Sequence, residues 1–148
     1  MNIQTPVSEI MTRRLITAHA DDRIVKVKTL FEENNIHHIP VVDEIDQLLG
    51  IISKEDFLKL SYHVSLDTGG ISFSEKWYDN TIASEIMTKY PVSLDSEDTV
   101  GLAADIFMAN KFHALPVVEN EQLVGIVTTH DILLFAFQNA GMTETESF

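Results

Sequence analysis

The sequence predicts an α/β (α+β-like) fold of two pseudo-symmetric β-α-β-β-α units packed face to face. Three observations predict it. The chain repeats itself in three ordered blocks: Ser8-Glu9-Ile10-Met11-Thr12 returns as Ser84-Glu85-Ile86-Met87-Thr88, His37-His38-Ile39-Pro40-Val41-Val42 as His113-Ala114-Leu115-Pro116-Val117-Val118, and Gly50-Ile51-Ile52-Ser53-Lys54-Glu55-Asp56 as Gly125-Ile126-Val127-Thr128-Thr129-His130-Asp131. Each copy carries one apolar stripe of helical spacing, then two short apolar runs around a polar turn. A copy this small cannot enclose a core alone, so the repeats must cover each other.

The first copy spans 7–60 and the second 83–136, joined by a linker over 61–82 and followed by a polar tail, 137–148, expected to be flexible. Each copy opens on a helical turn carrying Ser-Glu-Ile-Met-Thr. A brief strand follows, Leu15–Thr17 in one copy and Val92–Leu94 in the other. Then comes an amphipathic helix. Ile24, Val27, Leu30 and Phe31 share one face, and Val100, Ala103, Ile106 and Phe107 repeat it. Asp21 and Asp22 suit the first turn of the former, where acids meet the positive helix end. Ser96 is the N-cap expected for the latter. Two short strands follow, Ile39–Val42 with Leu48–Ile52 and Leu115–Val118 with Leu123–Val127, with Pro40 and Pro116 near strand starts. A second helix begins at Ser53 or Thr128. The linker holds Gly69-Gly70 and the only tryptophan, Trp77. Continuation of the helix past Tyr62, with Trp77 covering an exposed edge, is preferred there over a ligand lid.

Composition bounds the function. At 45% hydrophobic and 22% charged residues the chain reads as soluble and globular. It has no cysteine, which removes thiol chemistry and suits a reducing cytoplasm. The net charge of −13 repels phosphate backbones, so nucleic acid is not an expected partner. The longest apolar run, Ile132–Phe137, is far too short to span a bilayer, and the N-terminus lacks a signal-peptide core. No output domain follows the second copy, so any effector is expected in trans.

Chemistry concentrates where the last strand of each copy meets its last helix. Ser53 and Thr128 are each followed three residues later by an acid, Asp56 or Asp131. The structural reading is a capping box, in which the hydroxyl and carboxylate satisfy free N–H groups of the first turn. The functional reading uses the same geometry. A helix N-terminus binds anions, a hydroxyl there can bond a phosphate oxygen, and a carboxylate one turn along can accept both hydroxyls of a ribose. The two readings are compatible.

The paired blocks resemble a tandem CBS domain, or Bateman module, on Ile-Met-Thr, His-x-x-Pro-Val-Val and Gly-x-x-Ser/Thr-x-x-Asp, each present twice. The resemblance implies CBS units packed through their sheets, with two clefts between them that bind adenine nucleotides (AMP, ADP or ATP), and a disc-like homodimer. It carries ribose recognition onto Asp56 and Asp131 and hydroxyl contacts onto Ser53 and Thr128. It places the adenine slots at Ile16, Thr17, His38 and Ile39 and at Val92, Ser93, Ala114 and Leu115. For phosphate, the first cleft is expected to use Lys54, with Arg13 and Arg14 near the Met-Thr turn. The second is expected to use Thr129 and His130, with Lys89 and Lys111 nearby.

Function follows as a non-catalytic, cytoplasmic regulatory module that senses an adenine nucleotide, with Mg2+ travelling with the nucleotide or held by acidic loops and no obligatory cofactor. The alternatives are a dimerisation scaffold with vacant clefts, or a sensor of a divalent cation or S-adenosylmethionine. His37-His38, or His113 with Glu119, invite a metal reading, but no helical His-x-x-x-His pair supports one. No nucleophile motif or phosphate-binding Gly-rich loop is present, so no catalytic residue is expected.

Overall fold

The computed structural model describes residues 2–67 and 71–147; Gly69-Gly70 lie outside these residues. The chain forms two compact units that do not follow the order of the repeats. One spans Ile16–Pro91 and is called the Ser53 unit. The other, the Thr128 unit, joins the residues up to Leu15 to those from Val92 onward. The opening segment of each repeat therefore folds onto the body of the other.

The Ser53 unit contains β1 (Ala18–His19), α1 (Ile24–Glu33), β2 (His38–Val42), β3 (Leu48–Ser53), α2 (Lys54–Asp67), α3 (Ile71–Asn80), α4 (Ala83–Ile86) and β4 (Thr88–Lys89). Its sheet order is β1-β2-β3-β4. β1 is parallel to β2, and the other pairs are antiparallel. Ile24, Val27 and Phe31 bury the predicted face of α1 against Ile39, Val41, Ile52 and Phe57. The rings of Phe31 and Phe57 lie 5.6 Å apart, and Tyr78 stands 6.3 Å from Phe57.

The Thr128 unit begins with a 3-10 turn (Val7–Glu9) and continues with β5 (Leu94–Asp95), α5 (Val100–Ala109), β6 (Ala114–Glu119), β7 (Gln122–Thr128) and α6 (Thr129–Ser147). Its sheet order is β5-β6-β7. Val7 and Met11 join Leu94, Leu115, Val117 and Val127 in its core. Both hairpins share an irregularity: the register shifts after Val41 in one and after Val117 in the other. Their turns differ. Asp43 closes a five-residue turn by accepting the N–H groups of Ile45 and Gln47, each at 2.9 Å. The other turn is Asn120-Glu121, with φ of 51° and 68°. Two positive φ values suit the twist of a two-residue hairpin.

Pro40 and Pro116 are each the third residue of their strand. Pro40 is tolerated because β1 reaches only Val41 and Val42, so its missing N–H interrupts no bond to β1.

Several local expectations are corrected. The first strand is Ala18–His19, not Leu15–Thr17, because fully buried Ala18 takes the parallel register with Val41. Its counterpart is Leu94–Asp95, shifted along from Val92–Leu94. Asp21 and Asp22 precede α1, whose N-cap is Arg23. Asp22 instead accepts the His19 N–H at 2.8 Å and pairs with Lys26 at 3.4 Å. The cap of α5 is Thr99, whose hydroxyl accepts the Leu102 N–H at 3.1 Å. Ser96 is buried one turn earlier, where its carbonyl accepts the Ser8 N–H at 3.2 Å.

The linker is largely helical. α2 runs on to Asp67, and Trp77 and Tyr78 of α3 pack against the core, with their rings edge to face at 5.1 Å. The α6 backbone remains helical through most of the 137–148 tail.

Candidate functional site

The two strand-to-helix junctions have the same backbone. In the Ser53 unit, β3 ends at Ser53 in register with His38, and the Lys54 N–H donates to the His37 carbonyl at 2.8 Å. The Ser53 hydroxyl accepts the Asp56 N–H at 3.1 Å. In the Thr128 unit, Thr128 is in register with Ala114, and the Thr129 N–H donates to the His113 carbonyl at 3.1 Å. The Thr128 hydroxyl accepts the Asp131 N–H at 3.1 Å, and Asp131 accepts the Thr128 N–H at 3.0 Å. This second junction is a complete reciprocal cap. Each helix also starts one residue after its hydroxyl, which directs its first free N–H groups to the junction.

The Ile-Met-Thr segments complete the junctions crosswise. Thr88 and Lys89 pair with Ile51 and Gly50 as strand β4. Thr12 bridges Ile126 in the same antiparallel sense, with bonds of 2.8 and 3.0 Å. Met87 lies on Gly50 and Met11 on Gly125. A Cβ on Gly50 would meet Met87 Cγ and the Thr88 carbonyl oxygen, each at 2.7 Å; one on Gly125 would meet Met11 Cγ at 2.9 Å. The glycine and the methionine of the repeat are thus one contact, made between opposite copies.

This crossing decides which unit each cation belongs to. Arg13 and Arg14 belong to the Thr128 unit, where Arg13 donates to the Ser8 carbonyl at 3.0 Å. Lys89 belongs to the Ser53 unit, opposite Gly50. Lys54 thus shares a unit with Lys89, and Thr129 and His130 share one with Arg13 and Lys111. The cause is the pairing of Thr12 with Ile126 and of Thr88 with Ile51, which chain order does not reveal.

The slot residues divide by burial. Ile39 and Leu115 are at most 1% exposed and belong to the cores, so only their backbone can face a ligand. Ala114 is 8% exposed. Ile16, Thr17 and His38 are half-buried, while Val92 and Ser93 are exposed just before β5. Ile16, Thr17, His38 and Ile39 fall in the Ser53 unit, and Val92, Ser93, Ala114 and Leu115 in the Thr128 unit.

The acids differ. Asp131 is half-buried and also accepts the Thr12 hydroxyl, 3.3 Å from each carboxylate oxygen. Asp56 is exposed, and no hydrogen bond reaches its carboxylate among the described residues. A cavity of about 300 Å3 opens beside Asp56, between β3, the α4–β4 segment and α2. Ile51, Ile52, Phe57, Leu60 and Ile86 give it an apolar lining; Ser53, Asp56, Lys59, His63 and Thr88 supply polar groups. That combination is typical of a small-ligand site. A larger recess of about 540 Å3, at His19, Asp21, Asp43 and Glu44, contains none of the predicted residues, and its acids oppose an anionic ligand. Sequence reading gave no role to Thr12, Thr88, Lys59 or His63; the recurrence of Thr12 as Thr88 was the available signal.

Among the described residues, no three His, Cys, Asp or Glu side chains gather so as to hold a metal ion. No helix there is long and apolar enough to cross a membrane.

Two small α/β units, each with a hydroxyl-capped helix after a glycine-bearing strand, define a tandem repeat module. A family model for the CBS domain matches residues 7–63 and 83–137, and the chain belongs to that family. It is 31% identical to a CBS domain-containing protein of Dictyostelium discoideum, over 86% of this chain and 88% of the relative. It spans only 32%, 22% and 46% of three relatives from Methanocaldococcus jannaschii, the second an L-aspartate semialdehyde sulfurtransferase.

Solved structures agree. AcuB of Vibrio cholerae superposes with a TM-score of 0.82 at 28% identity, covering 97% of this chain and 99% of that one. CBSX2 in complex with AMP gives 0.77 at 25% identity, covering 92% and 98%. The CBS domain pair of protein MJ0100, in complex with 5′-methylthioadenosine and S-adenosylmethionine, gives 0.71 at 29%, covering 90% and 98%.

Proposed function

We propose that this chain is a non-catalytic regulatory module that binds an adenine nucleotide at its strand-to-helix junctions and signals to an effector protein in trans. The observation that carries this reading is the Ser53 junction. A carboxylate that no hydrogen bond reaches among the described residues stands beside a hydroxyl at a helix N-terminus and an apolar cavity of about 300 Å3. Asp56 and Asp131 would accept ribose hydroxyls. Ser53 and Lys54, with Lys89, and Thr128, Thr129 and His130, with Arg13, would meet phosphate oxygens. Ile16, Thr17, His38 and Ile39, and in the other unit Val92, Ser93, Ala114 and Leu115, would receive the base. The AMP held by CBSX2 supports a nucleotide; the ligands of MJ0100 support S-adenosylmethionine or methylthioadenosine as a second reading.

A homodimer fits the same reading. Leu58, Tyr62 and Leu66 recur every four residues along α2 and are 55–64% exposed, an apolar stripe suited to a second copy. Ligand would act by favouring one arrangement of the assembly over another, and only through its differential affinity for the two.

Calorimetry tests the binding. AMP, ADP and ATP, with and without Mg2+, are titrated into the wild type, Asp56→Ala and Asp131→Ala. Loss of a charged hydrogen-bond acceptor is expected to cost about 1.5–3 kcal/mol at the altered site, at least tenfold in affinity. Unchanged binding in both variants sinks the reading. So does the absence of thermal stabilisation by any adenosyl ligand, which would leave a scaffold. Scattering from the same samples should show a dimer whose profile changes with ligand; a monomer overturns the assembly proposal.

A further inference from the structure

The cavity beside Asp56 lies on the far side of β3 from the expected base slot. Ile16, Thr17, His38 and Ile39 belong to β2 and the chain before β1, and none of them lines it. Its walls come from β3, α2 and the α4–β4 segment. A ligand with its ribose on Asp56 would have this space within reach of its remaining arm.

What lines that space is asymmetric between the copies. Asp56, Lys59 and His63 fall at i, i+3 and i+7 of α2, one face of the helix. The equivalent residues of α6, 75 positions on, are Asp131, Leu134 and Gln138. Both basic groups are thus confined to the Ser53 unit. Lys59 pairs with Glu55 at 3.1 Å, with both side chains well exposed. Such an i,i+4 pair contributes only about 0.3–0.5 kcal/mol, so a ligand anion can displace it at small cost.

We infer that Lys59 and His63 form an anion subsite, unique to the Ser53 unit, for the charged 5′ arm of an adenosyl ligand. The inference rests on the ribose reading of Asp56. The subsite recognises a small oxyanion, whether the phosphate of a nucleotide or the carboxylate of an amino-acid arm. Neutral adenosyl compounds would gain nothing from it. At the Thr128 unit Leu134 and Gln138 offer no cation, so this particular subsite would be present at one junction and not at the other.

The test replaces the pair with what the second copy carries, Lys59→Leu with His63→Gln, two exposed positions on an intact helix. Calorimetry on the full chain compares adenosine and 5′-methylthioadenosine, which are neutral at the arm, with AMP and S-adenosylhomocysteine. The expected result is about a fivefold loss for the charged ligands, the scale of a partly exposed ion pair, with neutral ligands unchanged. A loss confined to AMP assigns the subsite to phosphate; one confined to S-adenosylhomocysteine assigns it to carboxylate. An unchanged ratio of AMP to adenosine affinity overturns the inference. Asp56→Ala separates the two failures. If that variant loses adenosine while the ratio stays fixed in the double variant, only the subsite fails. If adenosine binds wild type and Asp56→Ala alike, the ribose reading fails and the subsite with it.

Discussion

At the Thr128 junction, the Asp131 carboxylate accepts the Thr128 N–H and the Thr12 hydroxyl. At the Ser53 junction, Asp56 sits on the same backbone with its carboxylate open and a cavity at its side. Two sequences that repeat each other have thus produced one junction whose acid is bonded within its own unit and one whose acid has no such bond among the described residues. A ligand reaching Asp131 must compete with Thr12. A ligand reaching Asp56 would displace no such bond among the described residues. Repetition of a motif fixes a geometry, but neighbours contributed by the opposite copy decide how available that geometry is.

The largest expected effect probes the crossed glycine contacts. Gly50→Ala would drive a Cβ against the Thr88 carbonyl, backbone that cannot yield without loosening the β3–β4 pairing. For Gly125→Ala the three nearest atoms all belong to the Met11 side chain, with Cγ at 2.9 Å and Cε at 3.2 Å, and that chain can rotate away. Overpacking costs about 1–3 kcal/mol. Gly50→Ala should fall near the upper end and Gly125→Ala near the lower, read from urea denaturation. Equal losses would show that the methionine, present on both sides, sets the cost and that the carbonyl adds nothing.

That contact also marks the limit of what could be read from the chain alone. The repeat, the amphipathic faces of α1 and α5, the hairpins and the hydroxyl-capped helices were legible, because each is a local pattern of spacing. The partner of each Met-Thr segment was not. Met11-Thr12 and Met87-Thr88 are identical dipeptides, and Gly50-Ile51 and Gly125-Ile126 are identical acceptors. Local sequence therefore fits either pairing, and the crossed one changes which cations accompany which acid. Ser96 and Thr99 pose the same difficulty on a smaller scale. Both are plausible caps, and the choice is made by a distant segment: the Val100 N–H donates to the Thr5 carbonyl at 2.8 Å, so α5 begins after Thr99.

A smaller effect isolates the bond that distinguishes the two acids. Thr12→Val removes the hydroxyl that Asp131 accepts and keeps the shape of the side chain. A hydrogen bond to a charged group contributes about 1.5–3 kcal/mol at best. At 3.3 Å and with Thr12 exposed, about 1 kcal/mol is the reasonable expectation. Thr88→Val removes no comparable bond from Asp56 and should change stability by under about 0.5 kcal/mol. Chemical denaturation of the two variants measures the difference. Losses of equal size would mean that Thr12 and Asp131 are neighbours without energetic coupling.

The smallest effect concerns phosphate. Lys54 follows Ser53 at the start of α2, where the second copy has Thr129, so a cation stands at one helix N-terminus and a hydroxyl at the other. A positive group beside free N–H donors favours each added phosphate charge. Lys54 and Lys59 are five residues apart, about 7.5 Å along the helix axis. A monophosphate at Lys59 leaves Lys54 without a partner, whereas a triphosphate is long enough to involve both ends. Lys54→Ala is therefore expected to weaken ATP binding about threefold to fivefold, as an exposed charge pair does, and to leave AMP within twofold. Isothermal titration of both nucleotides decides it. ATP affinity unchanged by the substitution would remove Lys54 from the phosphate contacts. Equal losses for AMP and ATP would instead put the first phosphate at the helix N-terminus, away from the cavity that Lys59 and His63 line.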